Sequence, residues 1–246
     1  MALLTLANLP LLALIVVSGL APALFWLWFW LKEDRRRPEP KLMIIRVFAL
    51  GSLSVILAVV LERWLVKPSD LASGGLALIA VVLILSAIEE TIKYAAAYLG
   101  AFRSPHFDEP VDSMIYCITA ALGFAAVENI LFMASSLNSW VLTWDFLLTG
   151  SFRFIGASIV HVVASSIVGG MFGLAFYQSR FKRFISVSAG LGLAIFLHAT
   201  FNYFIIKSEG GQILHVFIAL WLAALLVILF FEKVKNEIHE QKKILL

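Results

Sequence analysis

Three ionisable side chains stand inside an apolar stretch of the chain, where each could take part in acid–base chemistry. The segment SAIEETIKYAA, residues 86–96, follows the apolar run LALIAVVLIL and contains Glu89, Glu90 and Lys93. On a helix the lysine lies four residues from Glu89 and three from Glu90, so it can pair with either carboxylate on one face. One lysine neutralises only one acid. The second carboxylate is therefore a candidate acid or base of a functional site.

Three further apolar segments carry polar groups at a similar depth. GFAAVENILF contains Glu128, GASIVHVVASS contains His161, and FLHATFNYF contains His198 and Asn202. The spacing of four residues places His198 and Asn202 on one helix face. Carboxylates and imidazoles that meet in a water-poor cavity are the groups of a hydrolytic site or of a proton pathway. We therefore expect four helices to bring these side chains together in one layer.

The segments that must position these groups are apolar runs of roughly twenty residues, long enough to cross a ~30 Å bilayer core as helices. The chain is 61% hydrophobic and 14% charged, and little of it alternates as the half-exposed elements of a soluble domain do. The sequence predicts an all-α, polytopic transmembrane helical bundle, a multi-pass protein of the cell membrane. About seven spans are predicted, at residues 9–31, 42–61, 76–99, 113–137, 153–177, 185–206 and 213–231. We expect one domain over residues 1–246, with a motif-bearing core at 76–206.

Basic residues indicate how the bundle is oriented. Lys and Arg are concentrated in the loops KEDRRRPEPK and QSRFKRF and in the tail EKVKNEIHEQKK, which all lie on one predicted side. The positive-inside rule then places the N-terminus outside and the C-terminus in the cytoplasm. The net charge of +3 follows from this topology, so the expected surroundings are the lipid bilayer and no nucleic-acid partner is predicted.

The charges of the third span oppose its insertion into the membrane. Its ten Leu, Ile and Val residues contribute roughly −3 to −6 kcal/mol, whereas three central charges cost on the order of +7 to +10 kcal/mol. We therefore expect the charges to face the bundle interior. Close helix contacts are predicted by small residues in spans four to six, namely Ala120, Ala121, Gly123, Ala125, Ala126, Gly169, Gly170, Gly173, Gly190 and Gly192.

The order and spacing of these motifs resemble the PrsW family of intramembrane proteases. The motifs are EExxK at Glu89, Glu90 and Lys93, FxxxE ending at Glu128, His161 in the next span, and HxxxN at His198 and Asn202. Residues 107–132 resemble the family as well. The resemblance implies that a peptide bond of a membrane-anchored protein or peptide is hydrolysed within or beside the bilayer. It also implies regulatory substrates such as an anti-sigma factor.

Two positions depart from the family pattern. Asn202 stands where members often have Asp, which weakens a mechanism that needs a carboxylate there, although an amide remains a good hydrogen-bond donor. Ser113 stands where many members have Gly, and we expect this to be a detail of the backbone.

Two catalytic schemes use the same residues. In a metal-free scheme Glu89 or Glu90 accepts a proton from a water molecule that Glu128 or His161 helps to hold. His198 and Asn202 donate hydrogen bonds to the oxyanion, and Lys93 keeps one carboxylate ionised. In a metal scheme Zn²⁺ is bound by Glu128, His161 and His198, and a glutamate of the pair is the base. The lack of an HExxH motif favours the metal-free scheme.

The alternative class is a proton- or ion-coupled transporter that uses the same acids and histidines as a relay. Inverted repeats with paired broken helices would favour it, and the sequence contains none that we can identify. A non-catalytic assembly factor is a third possibility. The loop acids Asp108, Glu109 and Asp112 are interpreted as structural, and Arg153 as an interfacial residue outside the site.

Overall fold

The computed structural model describes residues 9–33, 37–67, 69–70, 74–135, 156–207 and 213–244. Within these ranges the chain forms α-helices and no strand. The helices are α1 Leu9–Glu33, α2 Lys41–Leu65, α3 Gly75–Ala97, α4 Pro110–Ser135, α5 Ser158–Leu174, α6 Arg180–Lys207 and α7 Ile213–Ile244, and a short π-helical segment, Tyr98–Phe102, follows α3. The predicted all-α bundle is confirmed.

Six of these helices, all except α5, are long and apolar enough to cross a membrane. The predicted multi-pass architecture is therefore confirmed. Helix α5 has 17 described residues, and the beginning of its predicted span, including Arg153, lies outside the described residues. The orientation of the N-terminus stays a prediction from the charge distribution.

Several helices extend beyond the predicted apolar spans. Helix α2 continues past residue 61 to Leu65, α6 begins at Arg180 before the predicted start at 185, and α7 continues well past residue 231. Hydropathy marks only the apolar part of a helix, whereas backbone hydrogen bonds continue the helix through charged residues. The difference at α2 matters for the site, because it adds Glu62 to a helix.

Helix α4 is the centre of the bundle and packs against α1, α2, α3, α5 and α7. Most of its side chains are buried. The backbone of α4 approaches its neighbours closely: a Cβ added at Gly169 of α5 would lie 2.5 Å from the carbonyl oxygen of Ser113. The predicted close contacts thus occur at Gly169 and also at Gly123, which meets the backbone of Phe48. The expectation is wrong for Gly192, where an added Cβ would meet no atom within 4 Å.

The outer helices present large apolar side chains to their surroundings. On α2 alone, Leu42, Ile45, Leu53 and Ile56 are each more than half exposed. A bilayer covers such surfaces, whereas exposing these side chains to water would cost much free energy. The polar groups of the predicted site lie on the inner faces instead.

Candidate active site

The structure brings the predicted site residues together from four helices. A cavity of about 460 Å³ is lined by Glu89 of α3, Glu128 of α4, His161 of α5, and His198 and Asn202 of α6. Glu90 and Lys93 lie next to these residues and are each 1% exposed. The expectation that four helices meet at one layer therefore agrees with the structure. The chemical role of each residue stays a prediction.

Glu90 and Lys93 form the buried base of the site. The Lys93 Nζ donates to Glu90 Oε1 at 2.5 Å and to His161 Nδ1 at 2.8 Å. The same Glu90 oxygen lies 2.6 Å from His198 Nδ1. One lysine–glutamate pair thus connects α3 to both histidines. A buried ion pair is stable in such a place only when further hydrogen bonds support it, and both histidines supply them here, although Glu90 Oε2 has no partner among the described residues.

The hydrogen bonds determine the tautomer of each imidazole. Because an ammonium only donates, His161 Nδ1 accepts from Lys93, and the proton of the ring is on Nε2, which donates to Glu128 Oε2 at 2.7 Å. Because an ionised carboxylate only accepts, His198 Nδ1 donates to Glu90. The Nε2 atom of a neutral His198 therefore carries a lone pair and faces Glu89 at 3.9 Å.

Phe124 accounts for the aromatic position of the FxxxE motif. Its ring lies 5.5 Å from Lys93 Nζ and 5.7 Å from the centre of the His161 ring. A cation over an aromatic face is stabilised electrostatically, so Phe124 adds to the contacts that stabilise the buried ammonium. The two imidazoles are nearly perpendicular, with centres 5.1 Å apart.

Glu89 differs from Glu90 in having no strong partner. Its Oε2 is buried, has no hydrogen bond, and lies 4.0 Å from His161 Nδ1 and 3.9 Å from His198 Nε2. The side chain is 10% exposed and lines the cavity. Burying an unpartnered carboxylate oxygen costs free energy, so this atom is suited to bind a further group, such as water or a cation.

A metal ion is one group that fits this position. Glu89, His161 and His198 each offer one ligand atom, and these atoms lie within 4.8 Å of one another. Two nitrogens and one oxygen form a ligand set typical of catalytic zinc, and the bond from His198 to Glu90 is the second-shell contact that orients a zinc ligand. His161 could join as a ligand by releasing either Lys93 or Glu128. The compact group contains Glu89 where the sequence analysis placed Glu128.

Asn202 lies on the cavity one helical turn from His198. In the part of the chain that the structure describes, its amide makes no hydrogen bond, so its N–H groups are available to a bound molecule. This agrees with the predicted role as an oxyanion donor, which stays a prediction.

Sequence reasoning missed two features of the site. Glu62 of α2 lines the cavity, and with Glu89 and Glu128 it also lines a second cavity of about 380 Å³ between α2 and α4. Its predicted span ended at residue 61, so this acid was not counted as intramembrane. The second feature is a bond of 3.1 Å from Asn129 Nδ2 to Ser158 Oγ, which links α4 to α5 beside Glu128 and His161. Only the proximity of two helices could have indicated it.

The loop acids lie at the other end of α4 from Glu128. Asp112 Oδ2 accepts hydrogen bonds from the backbone N–H groups of Asp108 and Glu109, at 2.9 and 2.7 Å. Asp112 and Glu128 are sixteen residues apart, about 24 Å along a helix. This geometry supports the structural interpretation of these acids.

Fold and site together define a class: a polytopic helical membrane protein with acids and histidines around a cavity inside its bundle. The family described as "PrsW family intramembrane metalloprotease" matches residues 39–230. This match covers most of the chain, and the protein therefore belongs to the PrsW family of intramembrane proteases. The predicted resemblance and the assignment to a membrane-embedded protease are confirmed.

Individual relatives agree with the family match. Protease PrsW of Geobacillus kaustophilus is 29% identical over 215 residues, covering 86% of this chain and 89% of the relative. Protease PrsW of Oceanobacillus iheyensis is 29% identical over 214 residues, covering 86% and 93%. Protease PrsW of Bacillus subtilis is 30% identical over 119 residues, covering 48% and 53%. No solved structure matches the chain significantly.

Proposed function

We propose that this chain is an endopeptidase that hydrolyses a peptide bond of a membrane-anchored protein within or beside the bilayer. The observation that carries the proposal is the buried Oε2 of Glu89, which has no hydrogen-bond partner and lies about equally far from the His161 and His198 rings on a cavity. Amide hydrolysis needs an activated water, a stabilised oxyanion and a proton for the leaving amine. The groups on this cavity can supply all three.

The proposed cofactor is Zn²⁺, held by Glu89, His161 and His198. Two observations favour it over the metal-free scheme: the lone pair of a neutral His198 Nε2 faces Glu89, and the family is described as a metalloprotease family. A bound zinc ion would supply Lewis-acid polarisation of the carbonyl and would acidify water. In the metal-free scheme His198 would have to be doubly protonated to donate to an oxyanion.

Glu128 is the proposed proton acceptor. Its carboxylate is 20% exposed, lines the cavity and is held by the bond from His161 Nε2. It takes a proton from water as the water oxygen attacks the carbonyl carbon, and it returns that proton to the amine nitrogen as the C–N bond breaks. Asn202 donates to the oxyanion. Glu90 and Lys93 are positioning residues that do not line the cavity, because Glu90 orients His198 and Lys93 keeps Glu90 ionised. His161 Nδ1 would exchange its bond to Lys93 for the metal, while His161 Nε2 keeps its bond to Glu128.

The substrate class follows from the lining of the cavity. Apart from the site residues and Glu62, the cavity is lined by apolar side chains of spanning helices, such as Leu85, Val160 and Phe201. An apolar segment of a membrane protein fits these surroundings, and a regulatory protein such as an anti-sigma factor belongs to this class. The substrate backbone around the scissile bond must become extended at the site, because the peptide groups inside a helix are occupied by backbone hydrogen bonds.

Terminal proteomics of membranes tests the proposal. Cells with the wild type, Glu89→Gln or the matched control Glu232→Gln are compared for new peptide termini; Glu232 lies far along α7 and pairs with Lys235. We expect termini that are present with the wild type and the control and absent with Glu89→Gln. A set of termini identical in all three strains would contradict the proposal and leave no substrate to study.

Metal content tests the cofactor. We expect purified wild-type protein to carry about one zinc ion and His198→Ala to carry far less, because one of three ligands is lost. The measurement is mass spectrometry of metals on protein of verified fold. Full cleavage activity after verified metal removal would contradict the zinc scheme and favour the metal-free scheme, in which Glu89 acts as the base.

A further inference from the structure

The two cavities meet at a common wall. The larger cavity extends among α3, α5 and α6, and the smaller one lies between α2 and α4. Four residues line both of them: Glu62, Glu89, Glu128 and Phe132. An extended peptide that crosses this wall would have its scissile bond next to Glu89 and a length of chain in each cavity.

Glu62 is the acid of this wall that the proposed chemistry does not use. It is half-buried near the C-terminal end of α2, and in the part of the chain that the structure describes its carboxylate makes no hydrogen bond or ion pair. The neighbouring Arg63 lines the smaller cavity but does not pair with it. Lys93 is bonded to Glu90 and His161 and not to Glu62.

The surroundings of Glu62 make an unpaired carboxylate unfavourable. Most of the smaller cavity is apolar, with Val55, Val59 and Leu131 among its lining residues. On the same wall, Glu89 has an unpartnered Oε2 on a side chain that is nine-tenths buried. An acid in such surroundings gains free energy when a cation is brought to it, because a partly buried pair is screened less than an exposed one.

We infer that Glu62 is a specificity-determining residue, which receives a Lys or Arg side chain of the substrate close to the scissile bond, within an otherwise apolar segment. The inference rests on the proposed function, and it narrows the substrate class to apolar segments with one basic residue beside the cut. A basic side chain reaches such an acid readily, because its long apolar stem packs in the cavity while its charged head meets the carboxylate. Phosphorylated or acidic segments would be repelled.

The test uses reporters built on a cut site mapped by the terminal proteomics above. Each reporter is a single-span protein that carries Lys, Gln or Glu at one of the three positions on either side of the cut. At one position we expect the wild type to cleave the Lys reporter about tenfold faster than the Glu reporter, as a partly buried ion pair predicts. Equal cleavage at all positions would overturn the inference.

Variants of Glu62 make the test specific to this residue. We expect Glu62→Gln to bring the Lys-to-Glu ratio close to one and Glu62→Lys to reverse it, while Glu232→Gln keeps the wild-type ratio. An unchanged ratio in both Glu62 variants would overturn the inference even if the wild type prefers Lys. If one Glu62 variant fails to fold, as judged by gel filtration, the ratio measured with the other variant decides.

The outcomes also separate this inference from the proposed function. Cuts that depend on Glu89 but not on charge beside the bond refute only the role of Glu62. If no cut depends on Glu89, the proposed function fails and the inference fails with it.

Discussion

The two ends of the central helix α4 both bury carboxylates, but they treat the oxygens differently. At its start, Asp112 accepts hydrogen bonds from two backbone N–H groups, and Glu39 accepts one from the hydroxyl of Tyr116. At its other end, Glu128 lies beside Glu89, whose Oε2 has no partner and faces a cavity. The comparison teaches that burial of an acid does not by itself mark an active site. An unpartnered oxygen on a cavity-lining side chain, such as Glu89 Oε2, is what distinguishes the candidate site.

The largest expected effect separates activity from stability at the site. We expect Glu89→Gln to lower the cleavage rate by about 10²–10⁴, the range for loss of an acid–base or ligand group, without lowering the melting temperature. The amide removes a buried charge and breaks no strong hydrogen bond of the folded protein. Cleavage of a reporter and thermal unfolding in detergent are measured on one preparation. A clear drop in melting temperature would mean that Glu89 stabilises the fold and would remove the contrast between the two ends.

Lys93→Met should affect both properties. The substitution leaves Glu90 buried without its cation and removes the donor that fixes the His161 tautomer. Loss of one partner of a buried ion pair costs about 3–5 kcal/mol, so we expect a large fall in stability together with loss of cleavage. Unfolding in denaturant measures the first effect. The double variant Glu90→Gln with Lys93→Met should recover part of the stability but not the activity, and stability no better than that of the single variant would contradict the pairing.

At the other end of α4 the effect should be on stability alone. Asp112→Ala leaves two backbone N–H groups without their acceptor, which costs about 1–3 kcal/mol. We expect a lower melting temperature and an unchanged rate of cleavage per folded molecule. A loss of activity as large as that of Glu89→Gln, at equal folded fraction, would show that this end also belongs to the active site.

The smallest expected effect is a pH dependence at Glu39. Burial raises the pKa of Glu39 above its ordinary value of 4.5. The folded protein thus favours the neutral carboxyl, so the contribution to stability is present below the unfolded pKa and is lost as the pH rises through the folded pKa. Because solvent screens this half-buried side chain, its contribution to the free energy of unfolding stays below about 1 kcal/mol. As the pH rises from about 4 to 8, the melting temperature should fall less for Glu39→Gln than for the wild type. Parallel curves of melting temperature against pH would contradict a raised pKa of Glu39.

The sequence predicted the bundle and the side chains that meet inside it because both depend on local patterns. Apolar runs predict spans, and a charge inside such a run must face the interior, so Glu89, Glu128, His161 and His198 could be grouped from their positions in the chain alone. The order of the motifs along the chain also carried the resemblance to the PrsW family.

The sequence could not predict relations between side chains of different helices. Glu89 and Glu90 are adjacent in the chain, and only the packing of α3 places Glu90 against Lys93 and His198 while Glu89 faces the cavity. Glu62 was missed because hydropathy ends a span where charge begins, although the helix continues. Ser113 was interpreted as a backbone detail, yet its hydroxyl contacts the Gly169 carbonyl at 2.7 Å and thereby joins α4 to α5.

The hydrogen bonds that share Glu90 Oε1 restrict how the bundle can open. Pulling α6 away from α3 would break the bond from His198 to this atom, and pulling α5 away would break the bond from Lys93 to His161, each in a dry interior where losing a hydrogen bond to a charged group is costly. The pair of Glu90 and Lys93 lies within α3 and would stay intact. These contacts therefore hold the three helices together at the level of the site. Across the seam between α2 and α4, beside the smaller cavity, Ser52 Oγ donates to the Gly123 carbonyl at 3.0 Å, a neutral contact whose loss would cost less.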